Sequence, residues 1–437
     1  MSSINRAAAK TRVTNHQGAS VPAIDAEKQL NRVVLASMLW EKEFYVDGIS
    51  NAKVIAELVT KVDAVKVAAL ALKARTDMKL RHVPLHLLRE LARVGKLKAE
   101  DLTATIQRPD EMSEFVSLYW KDKKQPLSNQ VKKGLANAFH KFNEYSLAKW
   151  DKNSAAVRLR DVMFLTHAKP KDVVQEALFK RIAADELKTP DTWETELSGG
   201  ADKAATFTRL IQEKKLGALA FLRNLRNMAT AGVSEDVIRT YAKTVNTDRV
   251  LPFRFLAAAR IVPQFEDMLE EMMLRSLASH EKLPGKTVLL IDVSGSMFGT
   301  KVSAKSDLDR FDAAAALAIL AREICEEVEI YSFSDKVVRI APRRGLALVE
   351  AIRGSQSHMG TSTGSAVRSL NASTKYDRLV MFTDEQSSDQ VPAPKGKGYV
   401  INVASYQNGI NSGAWTTITG MSEAVIDYIA QSEKEAD

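Results

Sequence analysis

The sequence predicts a long α-helical region followed by a doubly wound α/β domain. Before residue 285, apolar residues recur at spacings of three and four in one segment after another, and no convincing strand pattern is present. After residue 285, short apolar runs typical of buried strands alternate with helical segments. The stretch His-Glu-Lys-Leu-Pro-Gly at 280–285 separates the two patterns and is typical of a hinge.

The helical region, residues 26–284, follows a polar tail of residues 1–25 that we expect to be flexible. Its first clear apolar stripe has helical spacing and comprises Val54, Ile55, Leu58, Val59, Val62, Val65, Ala69 and Leu72. Similar segments, broken by prolines, follow at 85–94, 112–120, 131–145, 158–165, 173–187, 204–214, 218–228, 235–245, 253–261 and 265–277. Helices of this size in series predict a degenerate α-solenoid resembling HEAT repeats.

The α/β region, residues 285–437, is built around one apolar run, Val288–Ile291, which is typical of a strand covered on both faces. Further strands are predicted at 328–333, 336–340, 379–382 and 399–403. Helices are predicted at 311–327, 346–352, 366–370 and 424–429. This alternation predicts a Rossmann-like sheet with helices on both faces.

Composition suits a soluble protein with two or more cores, since 45% of the 437 residues are apolar and 27% are charged. The one cysteine, Cys325, excludes an internal disulfide and is predicted to be a buried apolar residue within a helix. We see no targeting segment and no transmembrane run, and therefore predict a cytoplasmic protein that does not contact membranes.

The positive charge is concentrated in the helical region. Residues 1–284 hold 46 lysines and arginines against 35 acidic residues, whereas residues 285–437 hold 16 against 19. A basic region joined to a mildly acidic one favours a polyanionic partner for the first. Lysine-rich helices can also be basic only for solubility, so charge alone leaves both interpretations open.

Oxygen-bearing side chains follow the strands of the predicted sheet. Asp292, Ser294 and Ser296 come directly after the central strand, Thr361 lies on a glycine-flanked loop, and Asp384 ends a second buried strand. Aspartate and serines after a strand are ordinary turn chemistry when they stand alone. The carboxyl ends of parallel strands converge, however, and carboxylate plus hydroxyl oxygens suit a hard divalent cation, with Mg²⁺ the best fit.

This five-residue set resembles the metal-ion-dependent adhesion site of von Willebrand factor A domains, with all five ligand positions filled. The resemblance implies a binding site that attracts an outside carboxylate, with Asp384 acting directly or through water. A hydrolase triad of Ser294 or Ser296 with His358 and Asp384 is disfavoured, because no G-x-S-x-G turn surrounds either serine. We expect no catalysis.

Four stretches of the helical region are similar to signatures of the TROVE module of Ro ribonucleoproteins. They are 39–48 (LWEKEFYVDG), 158–170 (RLRDVMFLTHAKP), 220–228 (AFLRNLRNM) and 251–259 (LPFRFLAAA). The resemblance implies a ring of helical repeats closed by a von Willebrand A domain. It also implies binding of Y-like small RNAs and of the single-stranded 3′ ends of misfolded RNAs, and partnership with an exoribonuclease such as polynucleotide phosphorylase. A ring closed within one chain makes a monomer the expected state.

Cations and aromatic rings mix between residues 132 and 171, as single-stranded RNA requires. The rings of Phe139, Phe142 and Tyr145 have helical spacing and are more typical of a core, so the cations carry more of this prediction. His167 lies in the stretch that matches the family's RNA-contacting segment, although a histidine near a helix end is usually structural. The predicted RNA-binding residues are Lys132, Lys133, His140, Lys141, Arg158, Arg160, His167, Lys169, Lys171, Arg223 and Arg226.

Two functions of different classes remain open at this point. In the first, the helical region binds RNA, and the metal site engages a carboxylate or only stabilises its domain. In the second, the protein is a metal-dependent docking adaptor that works through the A domain without RNA. The two differ in salt dependence, because RNA binding weakens steeply as salt rises whereas adhesion through the ion requires the metal.

Overall fold

The computed structural model describes residues 12–14, 20–22, 25–36, 48–78, 80–248, 250–278, 280–301, 308–404, 410, 414–419, 425–426, 429–430 and 433. Two compact units are present. The first, which we call the helical unit, comprises Ala26–Leu39 and Ile49–Asp202, and the second, the sheet unit, comprises Met1–Asp25, Trp40–Gly48 and Lys203–Asp437. Within the segment predicted as a tail, the short strands β1 (Arg12–Thr14) and β2 (Ser20–Pro22) pair antiparallel.

The described residues of the helical unit form eleven α-helices. The predicted single helix across 54–72 is two helices, because Asp63 caps a new one: its carboxylate accepts the N–H groups of Val65 (3.0 Å) and Lys66 (3.4 Å). The helices are α1 (Ala26–Ala36), α2 (Gly48–Val59), α3 (Ala64–Thr76), α4 (His82–Arg93), α5 (Ala99–Thr105), α6 (Asp110–Tyr119), α7 (Asn129–Ala138), α8 (Glu144–Trp150), α9 (Leu159–Thr166), α10 (Val173–Ala184) and α11 (Trp193–Ser198).

The core of this unit is formed where helices near in sequence pack together, α3 on α4, α5 on α7 and α7 on α9. Phe115 on α6 and Phe139, in the 3₁₀ turn Phe139–Lys141 after α7, are fully buried. The predicted helix over 131–145 is therefore interrupted by that turn, and Phe139 is a core residue. Sequence analysis gave no helix for α5 or α11, which are short and carry few apolar residues.

Among the described residues of the sheet unit, five α-helices precede its α/β part. They are α12 (Lys203–Gln212), α13 (Ala218–Ala231), α14 (Glu235–Thr244), α15 (Pro252–Ile261) and α16 (Glu266–Leu277). The α/β elements are β3 (Leu283–Asp292), α17 (Arg310–Ile324), β4 (Cys325–Phe333), β5 (Val337–Arg339), α18 (Gly345–Arg353), α19 (Thr363–Ser373), β6 (Arg378–Thr383), β7 (Lys397–Asn402) and β8 (Trp415–Thr419). Helices α15 and α16 pack on α17, so these helices share a unit with the sheet.

The six strands have the order β5-β4-β3-β6-β7-β8, and all neighbours except β4 and β5 run parallel. The predicted α/β fold of the second part and the helix-rich first part are confirmed. Val288–Ile291 is fully buried at the centre of β3, as expected for a strand covered on both faces. The prediction that Cys325 is buried is confirmed, but its predicted place within a helix is wrong. Helix α17 ends at Ile324, and Cys325 begins β4 opposite Leu283. Strand β8 was not predicted.

Several predictions lie outside the described residues. These are most of the tail, the 39–48 motif except its last residue, and residues 302–307 of the polar loop after the first serines. In the predicted closing helix, residues 425–426 and 429–430 are helical. Among the helices that the structure describes, none is long and apolar enough to cross a membrane.

Candidate functional site

Two buried carboxylates lie at the carboxyl end of the sheet. Asp292 ends β3, Asp384 directly follows the neighbouring β6, and neither side chain is exposed. The hydroxyl of Thr383 donates to Asp292 Oδ2 (2.6 Å) and the N–H of Ser294 donates to Asp292 Oδ1 (2.8 Å). Burial, and then the negative charge of Asp384, raise the pKa of Asp292 to about 7. A cation bound here would therefore stabilise the charged form of these carboxyls, which burial disfavours.

The hydroxyl-bearing residues adjoin this pair. Ser294 Oγ and Ser296 Oγ are 3.3 Å apart. The loop that carries Thr361 is bound to the loop of Ser294 and Ser296, because the N–H of Gly295 donates to the carbonyl of Met359 (3.3 Å). Thr363, the first residue of α19, has a buried Oγ1 with no hydrogen-bond partner among the described residues. Sequence analysis missed Thr363, which offers one more free oxygen near this loop.

The donor set fits a hard divalent cation. The oxygens come from two carboxylates and several hydroxyls, and Mg²⁺ prefers such ligands. The described residues contain no group of three or more His, Cys, Asp or Glu that could hold a metal ion, so any ion here would have few anionic ligands. Asp292, Ser294, Ser296, Thr361 and Asp384 as ligands, and Mg²⁺ as the ion, remain predictions.

A buried guanidinium lies at the same place, which sequence analysis did not foresee. Arg310, the first residue of α17, is 3% exposed. Its Nη1 donates to the carbonyl of Ser296 (3.0 Å) and lies 3.5 Å from Asp384 Oδ2. The protein thus supplies part of the positive charge itself, and a bound ion would share Asp384 with Arg310. The sequence signal was no more than an arginine at a helix start beside a polar loop.

His358 has a structural role in the described contacts. Its Nδ1 donates to the carbonyl of Val293 (2.9 Å), and its ring packs on Phe298 with centroids 4.1 Å apart. No described hydrogen bond joins the ring to Ser294 or Ser296. The geometry therefore does not favour the hydrolase triad that the residue types would allow.

Some of the predicted RNA-binding cations are engaged within the helical unit. The ammonium of Lys141 donates to the carbonyls of Thr103 (2.9 Å), Ala104 (3.4 Å) and Ile106 at the end of α5. Burial lowers the pKa of that ammonium. The guanidinium of Arg158 bonds to the carboxylates of Asp151 and Asp185 (2.7 and 2.6 Å).

A second group joins two loops of the same unit. The Nε2 of His140 lies 3.0 Å from the carbonyl of Lys169, and the ammonium of Lys171 donates to the carbonyl of His140 (3.3 Å). Lys169 itself is exposed. Lys132 is half-buried and Lys133 exposed on α7, and the described residues give neither ammonium a partner. The predicted cations therefore divide into engaged and available groups.

The exposed surface at α9 carries a cation and an aromatic ring on the helix and an imidazole at the residue that ends it. Arg160, Phe164 and His167 follow at spacings of four and three, and we call them the α9 stripe. The Phe164 ring is 53% exposed, and the guanidinium carbon of Arg160 lies 5.8 Å from its centroid. His167 is exposed, and its φ of 51° ends the helix in the left-handed region. Phe164 was missed because an apolar residue within a helical motif resembles core.

The aromatic rings between residues 132 and 171 differ in their surroundings. Phe139 is buried against Phe179, with ring centroids 5.7 Å apart. Trp150 stacks with Arg108, whose guanidinium carbon lies 3.5 Å from the ring centroid. Tyr145 is 51% exposed and has the ammonium of Lys149 at 5.8 Å from its ring. Tyr145 therefore joins Phe164 as an accessible ring.

Arg223 and Arg226 lie on α13 of the sheet unit, three residues apart and both exposed. No hydrogen bond, ion pair or ring contact within the described residues engages either guanidinium. They border a groove between α13 and α15. The sequence left open whether these arginines are paired with acidic neighbours, and the described contacts contain no such pair.

A model of the TROVE domain family matches residues 159–317. The TROVE resemblance is confirmed. Telomerase protein component 1 of Mus musculus is 38% identical over 110 residues, and that of Rattus norvegicus is 38% identical over 112 residues. Each alignment covers 24% of this chain and 4% of the relative, so the chain spans a small fraction of these curated relatives.

The crystal structure of the Deinococcus radiodurans Ro (Rsr) protein has a similar fold. The TM-score is 0.64 at 20% identity, and the match covers 93% of this chain and 99% of that one. The TROVE match in this chain begins at α9 and extends through α13, α15 and β3 into α17. It therefore contains the α9 stripe, Arg223, Arg226 and the first three residues of the predicted metal set.

Proposed function

We propose that this protein binds RNA without catalysing a reaction, in the manner of Ro proteins. It would hold Y-like small non-coding RNAs and the single-stranded 3′ ends of misfolded RNAs in the cytoplasm, for quality control or decay. An exoribonuclease such as polynucleotide phosphorylase would act on the RNA. The TROVE match supports RNA binding, and the observation that carries the proposal is the exposed α9 stripe within that match.

The α9 stripe has the chemistry that unpaired RNA requires. An exposed aromatic face stacks on any base, which contributes about 1–3 kcal/mol per base. Arg160 can pair with a phosphate while its guanidinium stays near the Phe164 ring, and His167 adds a ring donor one turn further on.

The test is fluorescence anisotropy with a labelled uridine oligonucleotide over a series of salt concentrations. The triple variant Arg160→Gln/Phe164→Ala/His167→Ala should bind at least about tenfold more weakly, because it loses one stacked ring and a charged group. The control Val65→Ala/Lys96→Gln also removes an exposed apolar side chain and an exposed cation from the helical unit, and should bind like the wild type. Equal affinity of the triple variant and the control would overturn the assignment of the stripe.

A second candidate function is a metal-dependent docking adaptor that works through the sheet unit without RNA. The buried pair of Asp292 and Asp384 favours a divalent ion, which supplies a positive centre for an outside carboxylate. This function predicts partner binding that disappears with a chelator and changes little with salt. RNA binding predicts the reverse, because phosphate contacts release counterions.

The change in melting temperature on addition of metal tests whether the site binds an ion. Mg²⁺ should raise the melting temperature of the wild type, and Mn²⁺ should do the same at lower concentration. The variant Ser296→Ala keeps both carboxylates and removes one proposed ligand, so it should need more metal for the same increase. A melting temperature that does not respond to either ion would contradict the site.

A further inference from the structure

Helices α13 and α15 border an open groove of about 320 Å³ in the sheet unit. Arg223 and Arg226 line it from α13, and Arg254 lines it from α15. Leu219 and Ile261 contribute exposed aliphatic surface, being 44% and 52% exposed. The groove thus combines three guanidinium groups with an apolar surface.

Within the part of the chain that the structure describes, no acidic side chain pairs with the two α13 arginines. None of the described residues that line their groove is acidic. A smaller groove of about 200 Å³ between α14 and α16 provides a contrast, because acidic residues accompany its cations. There Arg239 bonds to Asp267 (2.9 Å), and Arg275 donates to carbonyls at the end of α14 (2.6 and 3.1 Å). The two arginines of the smaller groove are satisfied by the protein, whereas Arg223 and Arg226 have no partner among the described residues.

An anionic ligand would relieve the mild repulsion between two exposed arginines one helix turn apart. Both repel each other across one helix turn, and a planar guanidinium pairs best with a phosphate or carboxylate through two parallel hydrogen bonds. Other arginines of the sheet unit pair with an acidic side chain, as Arg209 does with Glu213 (2.8 Å). The charge and the donor geometry of the groove therefore fit an external anion.

The apolar part of the groove narrows the choice of anion. Leu219 and Ile261 present exposed aliphatic surface beside the arginines, which suits the face of a base better than a free inorganic ion. Ligand pockets measure roughly 300–1,000 Å³, so the volume of this groove suits about one nucleotide. Asn227, also at the groove, offers an amide that can donate to or accept from a base edge.

We propose that the groove between α13 and α15 binds one phosphorylated nucleotide of a single-stranded RNA. Arg223 and Arg226 hold the phosphate, and Leu219 and Ile261 contact the base. This inference rests on the proposed RNA-binding function and adds to it a second point of attachment, on a different unit from the α9 stripe. RNA would then bind at two sites that can be removed separately by mutation.

The experiment compares the full-length wild type with the double variant Arg223→Gln/Arg226→Gln, using the same uridine oligonucleotide. Affinity should fall about 10- to 100-fold, as expected when charge-assisted hydrogen bonds are removed. The slope of log affinity against log salt should become shallower by about 0.7 for each phosphate of a single strand that the variant no longer neutralises. The variant Arg223→Lys/Arg226→Lys keeps both charges but lacks the planar guanidinium groups. Its affinity should lie between that of the wild type and that of Arg223→Gln/Arg226→Gln.

The control Lys203→Gln/Lys243→Gln removes two exposed cations from the same unit outside the groove. It should retain wild-type affinity, so an equal reduction in this control would show a general charge effect and overturn the site. Uridine monophosphate should compete with the oligonucleotide in the wild type and not in Arg223→Gln/Arg226→Gln. Competition by inorganic phosphate at equal concentration would show a simple anion site and overturn the nucleotide assignment.

The α9 triple variant separates failure of this inference from failure of the proposed function. Loss of RNA binding in that variant, with wild-type affinity in Arg223→Gln/Arg226→Gln, overturns the groove alone. A wild type that binds no RNA overturns both. Cross-linking of a 4-thiouridine oligonucleotide to peptides of α13 or α15, suppressed in Arg223→Gln/Arg226→Gln, would support the groove directly.

Discussion

Removal of the Asp312 carboxylate should destabilise the sheet unit by about 2–3 kcal/mol. Asp312 is 2% exposed, on the first turn of α17. Arg260 of α15 donates to its Oδ2 (2.6 Å), Arg353 of α18 donates to its Oδ1 (3.2 Å), and the N–H of Asp309 donates to Oδ2 (2.9 Å). One carboxylate therefore joins two neighbouring helices to α17 and completes the capping box at the start of that helix.

The magnitude follows from these interactions. Loss of the capping bond costs about 1 kcal/mol. Loss of hydrogen bonds from charged partners costs about 1.5–3 kcal/mol. The side chains of Arg260 and Arg353 are 38% and 35% exposed, so water can solvate them after the change. The total should therefore lie below the roughly 3–5 kcal/mol that breaking a fully buried ion pair costs.

The assay is hydrogen exchange of the β3 and β6 amides, because these strands form the centre of the sheet and report the stability of their own unit. Asp312→Ala should lower the protection of both strands. Arg260→Gln should lower the free energy of unfolding by less than Asp312→Ala does, since Arg353 still pairs with Asp312. The double variant should then show a coupling of about 1 kcal/mol between Arg260 and Asp312. Glu350→Gln is the control, because it removes an exposed carboxylate that lies 3.8 Å from the Arg353 guanidinium and makes no contact with Asp312 among the described residues.

A change in protection below about 0.5 kcal/mol in Asp312→Ala would place Asp312 with ordinary surface positions and refute this reasoning. An equal reduction in Glu350→Gln would show instead that the unit responds to any change of charge near α18.

Three further predictions concern charged groups. Arg310→Gln should increase the thermal stabilisation by Mg²⁺ compared with the wild type, because the guanidinium near Asp384 no longer opposes the ion; an unchanged or smaller metal response in melting curves would contradict this. Burial alone would raise the pKa of Glu433, but the bonds and charge of Arg378 outweigh it and hold that pKa below its ordinary value. The pair therefore stabilises the folded state at pH values above the ordinary pKa, and this stabilisation is lost as pH falls through the lowered pKa. Glu433→Gln should thus differ from the wild type at pH 7 and converge with it in acid, which urea unfolding at several pH values can check. Lys141→Met should lower the stability of the helical unit by about 1–3 kcal/mol and leave RNA affinity unchanged, since its ammonium binds backbone carbonyls; a loss of RNA binding without unfolding would contradict it.

The fold was predictable where local pattern and tertiary environment agree. Val288–Ile291 has no polar residue to place on a solvent face, so a strand covered on both sides was its natural interpretation, and it lies at the centre of the sheet. The end of α17 was not predictable. Glu326 and Glu327 continue an alanine-rich helical pattern, yet pairing with β3 draws Cys325 and its successors into β4. Tertiary pairing overrode helix propensity at that boundary.

The carboxylates of the candidate metal site were predictable for a topological reason. Asp292 and Asp384 each end or follow an apolar strand, and parallel neighbours bring strand ends together. The presence of Arg310 at the site was not predictable. It reaches the site from the start of a helix after a polar loop, and no sequence rule fixes the path of that loop. Thr363 escaped notice because a threonine at a helix start usually serves as a cap.

The predicted RNA surface shows why charge counts alone cannot locate a binding site. Lys133 and Lys141 look alike in sequence and both residues are exposed, but the ammonium of Lys141 binds the carbonyls at the end of α5, whereas that of Lys133 has no partner among the described residues. The excess of cations in residues 1–284 includes many that pair internally, as Arg75 does with Glu111 (2.7 Å). A paired cation releases few counterions when RNA binds, because a carboxylate already neutralises it. The salt dependence of RNA binding should therefore report the cations of the α9 stripe and of α13 at its groove, and not the net charge of the region.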